Sequence, residues 1–321
     1  MTPVFLISLP RSGSTLLQRL MMGHPAIAST SEPWLMLPLV YMLREDGLVS
    51  EYAHRSAYRG IHDFIKVLPQ GQQDYQEAVR HFVSDLYERQ CQRDELYFLD
   101  KTPRYYLIIK ELAETFPEAK FILLVRNPLQ VIASIIKTFS DNNLRVLHFF
   151  WIDMLQGFTK MSEGIRSLGN RATVVRYEDI VEREHETLDE LFSFLSLNWD
   201  PQMNERLDDR GLQGRMGDRV GTYQYQKVAT ASQQKWKDTL SERTRKNYVQ
   251  HLLNRLDAEV LATYGYEKEH LLRELDELKT KVTLQSVSDL YHIALSKVIG
   301  KLYLNLFRSN IKRWSDEIIL N

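Results

Sequence analysis

The sequence predicts an α/β fold, a three-layer arrangement in which a central parallel sheet is flanked by helices, with a helical extension at its C-terminal end. Two observations predict it. Short runs of continuous apolarity at Pro3 to Leu9, Leu96 to Leu99, Lys120 to Val125 and Ala172 to Val175 read as strands buried on both faces. Between them lie longer segments of helical period: Gln76 to Gln92, with Val79, Phe82, Val83, Leu86 and Tyr87 on one face, then Asn143 to Leu168 and Leu188 to Leu195. Strand and helix in alternation give right-handed crossovers and place ligands at the carboxyl ends of the strands.

Composition bounds what the chain can do. Its 321 residues are 44% hydrophobic and 26% charged, enough apolar content for one large core and an appendage, which excludes disordered, collagenous and mucin-like classes. Lysine plus arginine number 41 and aspartate plus glutamate 42, a net charge of −1, so no global field draws nucleic acid or anionic lipid. Any anion site must be local. The single cysteine, Cys91, allows neither an internal disulfide nor a cysteine metal cluster, and reads as a small helix residue. No window reaches the roughly 18 apolar residues of a membrane span, and the longest run, Trp34 to Leu43, carries Pro38. The apolar N-terminus has no basic region before it and reads as a first strand, so the expected location is cytoplasmic.

The first strand runs into chemistry. In VFLISLPRSGSTLLQRLM it leads to Pro10, Arg11, Ser12, Gly13, Ser14 and Thr15, then to an amphipathic helix carrying Leu16, Leu17 and Leu20. A strand, a tight turn and a helix N-terminus aim backbone N–H groups and the positive end of a helix dipole at an anion, typically phosphate. Gly13 permits close backbone approach, Ser14 and Thr15 add hydroxyl donors, and Arg11 adds a charged fork. The segment is not a nucleotide-triphosphatase loop, whose final glycine is followed by lysine and a magnesium-binding hydroxyl. A capped helix start with structural serines would also satisfy it.

The third long element, KFILLVRNPLQVIASIIKTF, repeats the arrangement. The strand Phe121 to Val125 delivers Arg126 at its carboxyl end, Pro128 restarts the chain, and Ser134 lies eight residues beyond the arginine on the following helix. Two strand-to-helix anion sites in one sheet imply a ligand with two separated phosphates. Between them FLDKTPRYY sets Lys101, Thr102, Pro103, Arg104 and Tyr105 just after another strand, and Glu32 stands 21 residues after Arg11, in HPAIASTSEPW.

Together these segments resemble the sulfotransferases that use 3′-phosphoadenosine 5′-phosphosulfate (PAPS). In that family a P-R-S-G-S/T-T-L loop holds the 5′-phosphosulfate, and V-R-N/D-P with a serine eight residues after the arginine holds the 3′-phosphate. Pro10 to Leu16 match the first, and Val125 to Pro128 with Ser134 the second. The likeness covers most of the first 240 residues in outline, in the family's order. It implies a P-loop-like fold, a PAPS-binding domain over residues 1–268 and a helical extension over 269–321. It implies cofactor contacts from Arg11, Ser12, Gly13, Ser14, Thr15, Arg126 and Ser134, and a catalytic Lys101 matching the K-T/D-P motif of the carbohydrate and tyrosylprotein branches. There the lysine meets the transferring sulfuryl group and the leaving phosphate oxygen. Sulfuryl transfer moves negative charge onto that oxygen, so cations at Arg11 and Lys101 lower the barrier, and no metal is required.

Glu32 matches the placement of the catalytic glutamate in the tyrosylprotein branch and is the expected general base. A structural glutamate before Pro33 is the other reading, and His24 and His148 are competing bases. His-Pro after the first helix suits a helix end, and His148, in HFFWIDML, suits either the acceptor pocket or the core. His54, His62 and His81 read as surface or half-buried helix residues without metal-ligand spacing. In VVRYEDIV, where the family uses an R-Y-E-D segment, the resemblance implies a nucleotide contact for Tyr177. The loop expected over Asn198 to Lys227 resembles the loop that closes over the nucleotide in the bacterial and tyrosylprotein branches, which implies that Gly217, Arg219 and Lys227 meet phosphate oxygens, although the basic R-K-G triplet of the cytosolic branches is absent. Mobile in the free protein, that loop would order on the nucleotide.

The acceptor is expected to be a small molecule bearing a hydroxyl or amine, a bacterial natural product, lipid or sugar alcohol, held by the segment Trp34 to Leu68 and by Phe149, Phe150 and Trp151. A basic acceptor would call on acidic side chains such as Asp153 or Glu178. In the tail, Leu271, Leu275, Leu278 and Val282, then Leu295, Val298, Leu302 and Leu306 after a break near Gly300, form an apolar face that packs on its own domain or mediates a homodimer. Two other functions remain in view: a P-loop kinase, which would need the missing glycine-lysine pair, and a nucleotide-gated interaction module that binds without turnover.

Overall fold

The computed structural model describes residues 1–48, 50–139, 142–144, 150, 152–200 and 235–306. Among these residues five strands, β1 (Thr2–Ser8), β2 (Ile27–Ser29), β3 (Tyr97–Lys101), β4 (Lys120–Val125) and β5 (Ala172–Arg176), form one parallel sheet in the order β2-β3-β1-β4-β5. The central strand is β1, with Val4 opposite Leu99 of β3 and Leu6 opposite Ile122 of β4. Its side chains divide between two cores, Val4 and Leu6 on one face, Phe5 and Ile7 on the other. Continuous apolarity in the sequence is the imprint of that two-sided burial.

Helices cover both faces. Against Val4 and Leu6 lie α1 (Ser14–Met22), through Leu16, Leu17 and Leu20, and a later pair described below. The opposite core receives α2 (Met36–Tyr41) and α4 (Gln72–Glu88), the latter through Val79, Val83 and Tyr87, and α3 (His54–Lys66) packs on α4. Phe82, expected on that face, is turned out at 52% exposure, and α4 stops before Cys91, which is a partly buried residue beyond the helix. A 3-10 turn over Pro103–Ile108 then leads into α5 (Ile109–Thr115), and α6 (Pro128–Phe139) follows β4.

The helix expected over Asn143 to Leu168 is not continuous. A π-turn over Asp153–Gly157 precedes α7 (Phe158–Leu168). The wide turn brings Gly157 against the sheet, where an added Cβ would lie 2.4 Å from Leu9 Cδ2, and points Asp153 into the protein. After β5 come α8 (Tyr177–Glu182) and α9 (Glu184–Phe194), whose Ile180, Leu188 and Phe192 complete the α1 face.

Then follow α10 (Lys235–Leu240), α11 (Arg243–Arg255), α12 (Ala258–Ala262), α13 (Lys268–Asp276) and α14 (Leu284–Leu306). Leu271 and Leu275 of α13 join the larger core, as the tail spacing expects, but Val282 is 68% exposed and α14 runs on through Gly300. The break falls instead between α13 and α14. The inward face of α14 is polar, with Ser286, Asp289 and Ser296 buried, while Leu284, Val287, Leu290, Tyr291 and Val298 face outward. The cause is Arg245 of α11: a buried guanidinium needs a buried counter-charge. Its Nε donates to Asp289 Oδ2 at 2.7 Å, and its terminal nitrogens donate to Asn142 Oδ1 and O. Of the tail's expected apolar face, the side chains of Leu302 and Leu306 lie outside what the structure describes. No helix among the described residues is long and apolar enough to cross a membrane.

Candidate active site

Three neighbouring strands end side by side at the carboxyl edge of the sheet, and each releases one part of the site. From β1 the chain turns through Arg11, a non-glycine residue at φ 69°, and Gly13 at φ 97°, into α1. The first N–H groups of a helix lack intrahelical partners, so those of the first turn of α1 face the end of the sheet as ready anion donors. Ser12, Ser14 and Thr15 are all buried in this turn. Gly13 is required twice over. Its positive φ disfavours any side chain, and an added Cβ would meet the Tyr177 ring at 2.4 Å.

From β4, Arg126 emerges beside that turn. Its Nη1 donates to the Arg11 carbonyl at 3.0 Å, its Nε donates to Gln130 Oε1 at 3.1 Å, and its guanidinium lies 4.1 Å from the Tyr177 ring centroid. Arg11 Nε in turn donates to Ser134 Oγ at 3.2 Å. The two anion clamps read separately in the sequence are therefore one continuous surface, in which each arginine touches the other's loop or hydroxyl. Glu178 fixes the turn from behind, accepting from the Asn127 N–H at 2.9 Å and from the Tyr266 hydroxyl at 2.7 Å. Burial, and then the neighbouring Glu178 carboxylate, push the Tyr266 phenol up.

From β3 comes Lys101, only 1% exposed, with Nζ 2.8 Å from Glu32 Oε1. The second Glu32 oxygen accepts from the Trp34 indole N–H at 3.1 Å, and Trp34 is itself at φ 56°. Glu32 is 11% exposed, so the pair lies at the rim of the site rather than in sealed core. Non-glycine residues at positive φ on both sides of a site store backbone strain that the surroundings must hold.

Beneath this pair is a group that sequence reasoning missed. Asp100 is fully buried and accepts three hydroxyl hydrogen bonds, from Tyr87 at 2.5 Å, Tyr105 at 2.9 Å and Thr102 at 2.9 Å. Burial lifts its carboxyl to about 6 despite those donors and the nearby Lys101. Gln130 was missed too, being an ordinary polar residue of α6 until Arg126 turns back along the helix.

Other expectations change. His24 sits past the C-terminal end of α1, about 13 Å of helix away from the turn. There its Nδ1 accepts from the Ala26 N–H and its ring lies against Phe192, which makes it a helix-end residue. Asp153 and Glu178 do not wait for a basic acceptor. Asp153 is 1% exposed and accepts both prongs of Arg104, at 3.2 and 2.8 Å, plus the Tyr106 hydroxyl at 2.7 Å, and Glu178 is engaged as described. Of the segment Trp34 to Leu68, Met36, Val40 and Ile65 are buried whereas Tyr52, Phe64 and Val67 face out, so only its first part adjoins the site. His54 reaches the Arg44 carbonyl, His62 lies against Tyr58, and His81 is exposed, as helix residues should be. Phe150 stacks on Phe139 with Arg104 5.9 Å from its ring centroid. His148, Phe149, Trp151, Gly217, Arg219 and Lys227 lie outside the described residues. Among the described residues no cluster of histidine, cysteine and carboxylate could hold a metal ion.

The model of the Sulfotransferase family matches residues 3–201. Nodulation protein NoeE of Sinorhizobium fredii (strain NBRC 101917 / NGR234) is 30% identical over 224 residues, 61% of this chain and 50% of that protein. This chain thus spans about half the length of NoeE. A putative protein-tyrosine sulfotransferase of Caenorhabditis briggsae is 22% identical over 275 residues, 82% of this chain and 89% of that protein. Among solved structures, the sulfotransferase domain from the curacin biosynthetic pathway aligns with a TM-score of 0.50 at 20% identity, covering 88% of this chain and 99% of that one, a likeness of fold.

Proposed function

The chain belongs to the Sulfotransferase family, and from that premise we propose that it transfers the sulfuryl group of PAPS to a hydroxyl or amine of a small-molecule acceptor, leaving 3′-phosphoadenosine 5′-phosphate (PAP). One observation carries the proposal: the phosphate-type turn Arg11 to Thr15, the Arg126 and Ser134 clamp and the Lys101–Glu32 pair meet at the carboxyl ends of three adjacent strands.

These residues suit a nucleotide phosphorylated at two positions. A turn pressed so closely on Tyr177 that only glycine fits at position 13 presents N–H groups, while two guanidinium groups converge on one surface. Tyr177, already stacked on Arg126, would face the nucleotide, and Gly217, Arg219 and Lys227 belong to the same proposal as closing contacts. Bound there, PAPS supplies the activated sulfuryl group. Arg11 and Lys101 then stabilise the charge that grows on the departing phosphate oxygen. Glu32 takes the acceptor proton. The Glu32 carboxylate and the Lys101 cation lie 2.8 Å apart in the free protein, which supports a base and a cation acting on the same reacting group.

A hydroxyl acceptor is favoured, because the Caenorhabditis briggsae relative is named for tyrosine, whose side chain ends in a hydroxyl. Within the proposal, residues 1–268 hold the nucleotide and the helices from residue 269 pack on that domain, with the outward stripe of Leu284, Val287 and Tyr291 supporting a homodimer. Arg126→Ala should abolish PAP binding, and Glu32→Gln should keep binding and lose turnover. Wild-type affinity in the first variant, or full activity in the second, would overturn the corresponding assignment.

A further inference from the structure

We infer that Asp100 is a positioning residue for Glu32, acting through two hydroxyls that hold the backbone on which Glu32 and its indole partner are carried. The inference rests on the proposed role of Glu32 as base. It starts from an oddity of the sheet. Asp100 occupies a strand position flanked by Leu99 and Lys101 and faces the apolar core that holds Phe98, Tyr87 and Tyr105, where a carboxylate is costly to bury.

What it holds explains its presence. Thr102 Oγ1 donates to Asp100 Oδ1 and accepts from the Trp34 N–H at 3.3 Å. The Tyr105 hydroxyl donates to Asp100 Oδ2 and accepts from the Met36 N–H at 3.0 Å. A hydroxyl that must donate in one direction presents its lone pairs in the other. Asp100 therefore fixes the orientation of both hydroxyls, and these grip two alternate N–H groups of the segment directly after Glu32. The segment needs gripping. Trp34 is at φ 56°, a conformation costly for a bulky side chain, and its indole donates to Glu32 Oε2. Tyr87, on α4, closes the third side of the carboxylate and ties it to the helical layer. Lys101, the next residue, holds the other Glu32 oxygen. A carboxylate with no contact to Glu32 in this network thus bears on both of its oxygens, through Trp34 on one side and the strand backbone on the other.

Tryptophan labelled with 15N reads this directly, because the Trp34 indole N–H reports its bond to Glu32; Trp34→Phe assigns the resonance. In Asp100→Asn the Trp34 resonance is expected to move as far as in Glu32→Gln. Turnover should fall about 10- to 100-fold, the scale of an ångström-level misplacement. PAP affinity, set on β1 and β4, should stay within about twofold. Thr102→Val should reproduce both changes and Thr102→Ser restore them, which keeps the test open if Asp100→Asn fails to fold. An unmoved Trp34 resonance in folded Asp100→Asn or Thr102→Val overturns the inference. A moved resonance with full turnover sustains the positioning and removes Glu32 as base, so the two readings fail separately.

Discussion

Asp100 gives a thermodynamic prediction as well. Its carboxyl titrates at about 6 in the folded protein against a reference value of 3.8, because burial outweighs the hydrogen bonds from Tyr87, Thr102 and Tyr105 and the nearby Lys101. The folded state therefore holds this proton more tightly than the unfolded chain. The stability it contributes is fully present below about pH 3.8, and is lost as pH rises through about 6. Between pH 5 and 7.5 these two values give a loss on the order of 1 kcal/mol from this one group. Asp100→Asn has no proton to lose. Urea unfolding of both proteins at the two pH values should show the wild type gaining about 1 kcal/mol more than the variant on acidification, the other carboxylates cancelling in the difference. A difference near zero, or a larger gain in the variant, would mean that Asp100 is not a buried carboxylate of raised pKa, and would refute the reasoning.

Two further perturbations probe the rest of the site. Lys101 is 1% exposed, whereas Glu32 is 11% exposed and keeps the Trp34 indole as a second donor, so Glu32→Leu should cost more stability than Lys101→Met. Each falls toward the roughly 3–5 kcal/mol of a broken buried pair, and Lys101→Met/Glu32→Leu should recover much of the loss. A double variant less stable than either single one in chemical unfolding contradicts the coupling. Gly13→Ala must push the Tyr177 ring, and with it the stacked Arg126. It should cost about 1–3 kcal/mol in thermal unfolding and weaken PAP by at least about tenfold, the usual scale for losing a charged contact; unchanged affinity would separate Tyr177 from the nucleotide site.

Much of this architecture was legible in the chain. The runs that became β1, β3, β4 and β5 announced themselves by unbroken apolarity; Arg126 and Lys101 were marked by strand ends, Ser134 by its place on the following helix, and Glu32 by the family resemblance. What escaped was side-chain chemistry between distant residues. Asp100 looks like any residue of a strand end until hydroxyls from residues 87, 102 and 105 close on it. The polar inner face of α14 reverses what its leucines suggest, because Arg245, far earlier in sequence, dictates which side turns inward. The π-turn at Asp153 has no period of its own and is set by Arg104 and Tyr106 pulling the carboxylate in.

The central claim is a site built for a nucleotide with phosphates at the 3′ and 5′ positions, and calorimetric titration with PAP in the absence of magnesium tests it most directly, with ATP as the control. Tight, magnesium-independent binding of PAP is expected, with much weaker binding of ATP and loss of PAP binding in Arg126→Ala. Absence of PAP binding, or equal binding of ATP, would contradict it.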